Sequence, residues 1–222
     1  MHGDRVLFID GEALVIDKPA GLPVDKPRDG SLSLENHLDS LKFGFQRWPT
    51  PVHRLDRDTS GCLLLSRNPK AQARFQQAFE RGAVEKRYLA ILAGVPAARE
   101  GVIDLALGKV STRETGWRIV ADPDGKAART AWRLIAERDG RALVEFRPAT
   151  GRTHQIRVHA ATGLGLPVIG DPVYGAGERG GMMLHAAALT VPREGKEPIA
   201  AEAPLPERFG VWPELAPAPP AA

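Results

Sequence analysis

The chain has little cysteine and no long apolar run. Cys62 is the single cysteine among 222 residues, so an intramolecular disulfide is excluded and a reducing compartment is favoured. No amino-terminal stretch resembles a signal peptide, and no run reaches the roughly 20 apolar residues that cross a bilayer. We therefore expect a cytoplasmic protein with no membrane partner, in which Cys62 is a small buried hydrophobic residue rather than a reactive thiol.

Motifs for nucleotide and metal binding are also missing. No glycine-rich loop ends in Lys-Ser or Lys-Thr, so a nucleotide cofactor is not expected. The side chains that could in principle bind a metal are His53, His154, His159, His185, Asp56 and Asp171. They form no H-E-x-x-H or H-x-x-E-H motif, and arginines around every acid except Asp171 disfavour a cation. We predict no metal and no cofactor.

The remaining composition is that of a basic globular protein. With 43% hydrophobic residues, the chain can bury a full core as one large domain or two small lobes. Its net charge is +3 and its pI about 9.2, and arginines crowd into 47–57, 67–87, 113–133 and 141–157. This distribution is compatible with a basic face for a polyanion. We predict a folded domain at 1–212 and a frayed Pro/Ala-rich tail at 213–222.

Hydrophobic patterning indicates a mixed α+β fold with strands mostly in hairpins. Strands are predicted at 6–9, 13–17, 62–67, 85–93, 132–137 and 142–147, with tight turns at Asp10-Gly11 and Asp139-Gly140. Ser33 is placed to cap one helix, and Asn68 a second helix that has Pro69 at its first position. The polar, weakly patterned stretch 108–129 is interpreted as a long excursion over the surface.

The stretch His53-Arg54-Leu55-Asp56-Arg57-Asp58-Thr59-Ser60-Gly61 is the most informative in the chain. It places Asp56 between Arg54 and Arg57 and then enters an apolar strand. Opposite charges a few ångströms away keep a carboxylate ionised, which suits a nucleophile or a charge stabiliser rather than a proton donor. The alternative is a solvated turn with surface ion pairs.

A second polar group follows the strand at 142–147. In the sequence Gly151-Arg152-Thr153-His154-Gln155-Ile156-Arg157-Val158-His159, Thr153 is placed to cap a helix that Gly163 ends. The start of this helix, with its backbone N–H groups, is a candidate seat for a phosphate. An ordinary amphipathic helix with one buried histidine is an equally simple interpretation.

These stretches together resemble the RluA-type pseudouridine synthases. The resemblance rests on the motifs at 53–61 and 151–159 and extends, in the family's order, to 14–21, 85–90, 170–175, 184–186 and 202–206. It implies the pseudouridine synthase fold, a mixed and mostly antiparallel sheet with a central cleft and flanking helices. It also implies a reaction that detaches the uracil of a uridine in RNA and rejoins it through carbon 5, with no cofactor. The domain at 1–212 is then the catalytic domain.

The resemblance assigns catalytic roles to three residues. Asp56 matches the family's catalytic carboxylate, and the sequence leaves open whether it attacks C1′ or removes a 2′ proton. Arg157 matches the basic residue that pairs with this aspartate. Tyr88 matches the tyrosine that packs on the target base, with removal of the carbon-5 proton as a further candidate role.

Four more residues are assigned to substrate binding. Arg54 matches the arginine associated with flipping the base out of its stack. Ile156 is implied to give an apolar surface against the uracil, and Arg152 and His154 to support the phosphate or the loop. Lys18 and Pro19 are compatible with a substrate-side or a purely structural role, and the structural role is favoured.

The expected partner is ribosomal or transfer RNA, bound by a monomer. The S4-type RNA-binding domain of many relatives is not expected here, so RNA contacts would come from the catalytic domain, including its arginine-rich surface and 108–129. The second hypothesis is a catalytically idle RNA-binding or chaperone module on the same fold. A third, a hydrolase that uses Asp56 and a histidine, is disfavoured because Asp56 lacks an acid partner with a raised pKa.

Overall fold

The computed structural model describes residues 3–27, 29–112, 116–210 and 212. Its strands are β1 Val6–Ile9, β2 Ala13–Lys18, β3 Thr50–Pro51, β4 Ser60–Ser66, β5 Glu85–Leu92, β6 Glu100–Asp104, β7 Leu107–Thr112, β8 Gly116–Ala121, β9 Arg129–Arg138, β10 Arg141–Pro148, β11 Leu184–Arg193 and β12 Lys196–Glu202. The α-helices are α1 Pro69–Glu80 and α2 Gln155–Val158. The tail predicted at 213–222 lies outside the described residues.

One large sheet organises the molecule. Its order is β1-β2-β4-β11-β5-β10-β9-β6, with β12 paired to β11 and β3 paired to β4. All pairs are antiparallel except β4 with β11. The predicted α+β class with a mixed, mostly antiparallel sheet is therefore confirmed.

The parallel pair lies at the centre of the sheet and requires a glycine. Gly61 pairs with Ala186 at a φ of 107°, and a Cβ atom at position 61 would overlap the Ala186 carbonyl. Only glycine fits both the backbone angle and the close approach. This contact fixes the start of β4, so the residues just before it, 53–60, are held against the middle of the sheet.

The predicted hairpins are confirmed. Strands β1 and β2 pair around residues 10–12, where Asp10 Oδ1 accepts hydrogen bonds from the Glu12 and Ala13 N–H groups. Strands β9 and β10 turn at Asp139 and Gly140, which have φ values of 53° and 71°. Two consecutive positive φ angles match the twist of antiparallel strands, which is why an Asp-Gly pair stands there.

Helix α1 was predicted with its cap. The Asn68 side chain accepts a hydrogen bond from the Ala71 N–H at 2.8 Å, and Pro69 is the first helical residue. Ala71, Phe75 and Ala78 are buried in one cluster against β4, β11 and β12. The sequence therefore predicted the start of this helix, and its amphipathic pattern indicates the face that is buried.

The helix predicted after Ser33 was wrong. The chain forms two short 3-10 turns, Leu34–His37 and Asp39–Leu41. The Ser33 N–H donates to Asn36 Oδ1 at 2.9 Å, so a side chain takes a backbone partner at the start of the segment. Polar residues that bond locally to the backbone compete with a regular helix, while Leu34 and Leu41 still reach the core.

The stretch 108–129 is also more regular than predicted. Strands β7 and β8 form a two-stranded ribbon separate from the main sheet. Leu107 and Ile119 pack with Ala128 and Val158 in a small buried cluster. The other ribbon side chains are largely solvent-facing, so the alternation that would signal a strand is weak. No helix among the described residues is long and apolar enough to span a membrane.

Candidate active site

A cleft of about 430 Å³ lies between the loop 53–61, named here the motif loop, and the segment 148–157. Its lining includes all seven residues that the sequence predicted for a site: Arg54, Asp56, Tyr88, Arg152, His154, Ile156 and Arg157. These residues come from three separate stretches of the chain, 54–56, 88 and 152–157, and the fold brings them together.

Arg157 is shared by two carboxylates. Its Nη1 donates to Asp56 Oδ2 at 2.9 Å, while its Nε and Nη2 donate to the two oxygens of Asp171 at 2.7 and 2.8 Å. Burial alone would lower the pKa of Arg157, but the contacts with Asp171 and Asp56 outweigh it and raise that pKa. The guanidinium is therefore permanently charged and fixed in orientation.

Asp171 is fully buried, and every side of its carboxylate is satisfied. Oδ1 also accepts the Val173 and Tyr174 N–H groups at 2.8 and 3.1 Å. Burial would raise the pKa of Asp171, yet the bonds from Arg157 and from these backbone groups lower it. Such a group is a fixed counter-charge.

Asp56 is held differently from what the sequence suggested. Its neighbours turn away, because Arg54 pairs with Asp25 at 2.9 Å and Arg57 pairs with Asp58 at 3.0 Å. The ion pair of Asp56 is instead with Arg157, 101 positions along the chain. About one fifth of the Asp56 side chain remains exposed, so it faces the cleft and a substrate can reach it.

His154 stands beside this pair. It has a φ of 53° and precedes helix α2, so the predicted cap at Thr153 was wrong. The Tyr174 hydroxyl accepts the Ile119 N–H at 3.0 Å and shares a hydrogen bond of 2.9 Å with His154 Nδ1. The other ring nitrogen, Nε2, lies 3.8 Å from Asp56 Oδ2. Burial lowers the pKa of His154 despite Asp56, so the ring is neutral at pH 7.

The phosphate seat predicted at the helix start is not formed. Helix α2 has four residues and runs into a π-type turn, His159–Gly163, which ends at the predicted glycine. The Gln155 N–H is already bonded to the Arg152 carbonyl. A single helical turn whose first backbone N–H is already hydrogen-bonded does not form an anion-binding site. Arg152 itself is exposed, and its Nε donates to the Ala127 carbonyl at 3.0 Å.

Tyr88 and Ile156 form the apolar part of the cleft. Tyr88 is half-buried on β5 and packs against two of the core clusters, while Ile156 is almost fully buried. Burial raises the pKa of the Tyr88 phenol, and nearby Asp56 raises it further. The phenol is therefore neutral at physiological pH and presents an aromatic face with a polar tip.

Lys18 fixes the backbone of the motif loop through hydrogen bonds. Its fully buried Nζ donates to the carbonyls of Pro19 at 2.8 Å, Leu22 at 2.8 Å and Arg57 at 3.0 Å. Burial lowers the pKa of Lys18 to about 7. The Gly21 N–H bonds to the same Arg57 carbonyl at 2.9 Å. These two hydrogen bonds to the Arg57 carbonyl fix the backbone next to Asp56, in keeping with the structural role expected for Lys18.

The other candidate metal ligands have internal partners. His53 Nε2 accepts the Leu64 N–H, the His159 ring meets Thr130 and the Leu105 carbonyl, and His185 Nδ1 accepts from the Ser60 hydroxyl. Within the described ranges, no three His, Cys, Asp or Glu side chains are grouped to hold a metal ion. Cys62 is buried, and burial raises its thiol pKa to about 12, so it is the inert residue that was expected.

Glycines 175, 177 and 180 have the spacing Gly-x-Gly-x-x-Gly. In dinucleotide-binding proteins this motif joins a strand to the start of a helix. Here it lies in the irregular segment before β11, with no helix after it. The spacing therefore carries no sign of a nucleotide site.

Sequence reasoning missed Asp171 and Tyr174 as members of the site. Both lie in the stretch 170–175, which contributed to the family resemblance but received no role. The available signal was this Asp-x-x-Tyr spacing beside a glycine, which is compatible with a turn that folds an acid onto its own backbone. The ion pair between Asp171 and Arg157 has no such local signal and is seen only in the folded structure.

Comparison with known proteins decides the family. Residues 12–162 match the family described as RNA pseudouridylate synthase. The chain belongs to this family. An uncharacterized RNA pseudouridine synthase of Zymomonas mobilis is 64% identical over 208 residues, which are 92% of this chain and 95% of that protein. A ribosomal large subunit pseudouridine synthase C of Rickettsia prowazekii is 35% identical, over 93% of this chain and 69% of that protein.

Solved structures agree with the family. Human RNA pseudouridylate synthase domain containing 4 superposes with a TM-score of 0.76 at 26% identity, covering 93% of this chain and 90% of that one. Human RNA pseudouridylate synthase domain containing 1 gives 0.74 at 29% identity, covering 90% and 82%. The protein is an RNA pseudouridine synthase, an isomerase that acts on RNA.

Proposed function

We propose that this synthase converts uridines of ribosomal or transfer RNA to pseudouridine, with Asp56 as the catalytic carboxylate. One observation carries the proposal: Arg157 holds a partly exposed Asp56 at 2.9 Å inside a cleft that Tyr88 and Ile156 line. A guanidinium that is itself clamped by Asp171 aims the Asp56 carboxylate at the cleft. Arg157 is thus a positioning residue, and Asp56 is the group that meets the ribose.

The reaction breaks the bond between ribose C1′ and uracil N1. The base turns, C5 bonds to C1′, the proton on C5 leaves and N1 takes up a proton, so product and substrate are isomers. Asp56 serves by attack on C1′ or by removal of the 2′ proton, both of which need an ionised carboxylate. Because the atoms and electrons balance within the nucleotide, we propose that no cofactor takes part.

Tyr88 is proposed to pack on the target uracil. Its raised pKa keeps the phenol neutral, which favours this stacking role over direct removal of the carbon-5 proton. Ile156 adds apolar contact on the same cleft wall. Stacking on an aromatic side chain recovers about 1–3 kcal/mol per base, comparable to the few kcal/mol that extraction of a base costs.

Arg54 is proposed to enter the stack as the base leaves. Nearly two thirds of its side chain is exposed, and its ion pair with the equally exposed Asp25 is a weak surface contact. Arg54 can therefore exchange Asp25 for RNA at little cost. Arg152 and His154 are proposed to support the backbone of the flipped nucleotide and the motif loop.

RNA contacts outside the cleft are proposed to come from the same domain. The ribbon β7–β8 carries Lys109, Trp117 and Arg118 and reaches the site, because Trp117 lies 5.3 Å from the His154 ring. Relatives named as ribosomal large subunit synthases support ribosomal RNA as a first candidate. We further propose that the protein works as a monomer in the cytoplasm.

Pseudouridine mapping tests the proposal directly. Total RNA from cells with and without the gene is labelled with carbodiimide, and primer-extension stops locate each pseudouridine. The expected result is a signal lost at one or more uridines, restored by wild type and not by Asp56→Ala. If no signal is lost while the purified protein still binds RNA, the idle RNA-binding module replaces this proposal.

A further inference from the structure

Exposed aromatic rings are concentrated in one short segment that the site does not use. The exposed aromatic side chains in the described part of the chain are Phe43, Phe45, Trp48 and Trp117. Three of them fall within six residues, and Trp48 is 61% exposed. Large rings normally bury most of their surface, so three together in solvent indicate a contact surface. We call Phe43, Phe45 and Trp48 the aromatic patch.

The aromatic patch is held in place rather than loosely exposed. Arg67 is 6% exposed, and its Nη2 donates to the Lys42 carbonyl at 2.8 Å, while its guanidinium lies 3.5 Å from the centre of the Phe45 ring. Phe43 and Gly44 form a tight turn with φ values of 47° and 83°. The rings are therefore presented by a fixed backbone, which lowers the entropy lost when a partner binds.

Basic side chains lie beside the rings. Trp48 Nε1 donates to Asp39 Oδ1 at 3.3 Å, and Lys42 pairs with the same oxygen at 2.7 Å and lies 5.6 Å from the Trp48 ring centre. Arg47 is exposed and forms no ion pair with a described residue. Lys42 and the exposed Arg47 are therefore the basic side chains next to Trp48 that a phosphate can reach, while Arg67 is buried against Phe45. Aromatic rings set among cations fit a single strand of nucleic acid, whose bases stack while its phosphates are neutralised.

The aromatic patch and the cleft share a buried cluster. Leu34 and Leu41, which anchor the segment, pack in one cluster with Leu55 of the motif loop, and Tyr88 packs against it. Thr50, two residues after Trp48, pairs with Ser66 at the far end of β4, whereas Ser60 begins the strand beside the cleft. Six residues at about 3.3 Å each separate these ends, so the patch lies roughly 20 Å from the Ser60 end of the motif loop.

This inference rests on the proposed function and extends it. We propose that the aromatic patch, together with Lys42 and Arg47, is a second RNA-binding surface that stacks unpaired bases flanking the target uridine. A separation of about 20 Å corresponds to roughly six stacked nucleotides at 3.4 Å each, and to fewer in an extended strand. The substrate is therefore an RNA with an unpaired segment next to the target, rather than a continuous duplex whose bases are already stacked.

Binding of a short fluorescein-labelled oligoadenylate tests the patch, because this probe has no uridine for the cleft. Fluorescence anisotropy should show that Trp48→Ala and Phe45→Ala each weaken binding about tenfold, within the 5- to 150-fold range that stacking of one base spans. Trp48→Phe keeps a ring and should recover most of the affinity. Leu32→Ala removes an exposed apolar side chain outside the aromatic patch, 67% exposed and eleven residues before Phe43, and should bind like wild type.

Equal binding by all four variants, with unchanged thermal unfolding, would overturn the proposal. A turnover assay on RNA from cells lacking the gene separates this failure from that of the proposed function. If the patch is right, Trp48→Ala raises KM about tenfold and leaves kcat unchanged. If wild type forms no pseudouridine while oligoadenylate binding still depends on the rings, the proposed function fails and the patch stands. If the variants modify naked RNA normally but lose activity on intact ribosomal subunits, the patch binds a protein instead.

Discussion

The motif loop and the loop 170–175 each contribute a carboxylate that bonds Arg157, but the two carboxylates differ in burial and in the number of their partners. Asp171 is fully buried, meets two guanidinium nitrogens and accepts two further backbone N–H groups. Asp56 meets one nitrogen and is partly exposed to the cleft. The Asp171 carboxylate is therefore fixed and inaccessible, whereas the Asp56 carboxylate can be reached by a substrate in the cleft.

The difference shows how a buried cation can serve structure and chemistry together. The bidentate pair with Asp171 offsets the cost of burying Arg157 and fixes its plane. The remaining Nη1 proton then points at Asp56 and orients that carboxylate without saturating it. If this division of labour is right, substitutions in the two loops will separate activity from stability.

The largest effect is expected from Asp56→Asn. The amide keeps the size of the side chain but removes the charge that the reaction needs, so turnover should fall by at least about 10⁴-fold. Because Asp56 is partly exposed, the free energy of unfolding should change by about 1 kcal/mol or less. Pseudouridine formation and urea unfolding measure the two effects. An active Asp56→Asn enzyme would remove Asp56 from the mechanism.

Arg157→Ala should damage both properties. It leaves Asp171 buried without its counter-charge, which typically costs about 3–5 kcal/mol of unfolding free energy. Activity should fall as well, since nothing orients Asp56. Arg152→Ala is the matched control. This arginine lines the same cleft but is exposed, and its side chain donates to the Ala127 carbonyl rather than to a buried carboxylate, so the stability of the variant should stay close to that of wild type. Equal stability of the two variants would contradict the central place of Arg157.

Asp171→Asn is the counterpart of Asp56→Asn and should give the reverse pattern. Loss of the charged hydrogen bonds should lower the unfolding free energy by about 1.5–3 kcal/mol. Displacement of Arg157 should also reduce turnover, by about a hundredfold, even though Asp171 does not face the cleft. Paired measurements of kcat and of the urea midpoint would decide; a variant as stable as wild type would show that the two loops are not held differently.

The most gradual effect is expected from acid, and it also distinguishes the loops. His185 accepts a bond from Ser60 at the end of the motif loop, and burial lowers its pKa to about 4 from an ordinary 6.5. The unfolded chain therefore binds a proton first, and stability falls as pH drops from 6.5 towards 4, by up to about 1.4 kcal/mol per pH unit. The lowered pKa of Asp171 means that its contribution is lost only below its ordinary value of 3.8.

Unfolding free energies of wild type and His185→Asn across this pH range isolate the effect. His53, whose pKa is also lowered to about 4, titrates in both proteins, so the difference in slope reports His185. A flatter curve is expected for the variant between pH 6.5 and 4. Parallel curves would mean that His185 does not link the motif loop to pH.

Much of the fold was predictable because its signals are local. The Asn68 cap with Pro69, the Asp139-Gly140 turn and the apolar runs of β5 and β10 depend on residues a few positions apart. The ribbon β7–β8 and the turns after Ser33 were not, because exposed strands lack alternation and local side-chain bonds replace helical ones. For the site, the residue types were predicted. Without the family resemblance, however, the residues alone indicated Arg54 and Arg57 as the ion-pair partners of Asp56.

The sequence by itself determined the chemistry that is available: an aspartate in an arginine-rich motif, a tyrosine on a strand and a family resemblance that also paired Asp56 with Arg157. The tertiary structure alone decided that Asp171 shares this arginine, that Arg54 and Arg57 turn to other acids, and that three rings stand together in solvent. The reason is physical. Local propensities act between neighbours, whereas the choice of an ion-pair partner depends on burial and distance, which exist only once the chain has folded.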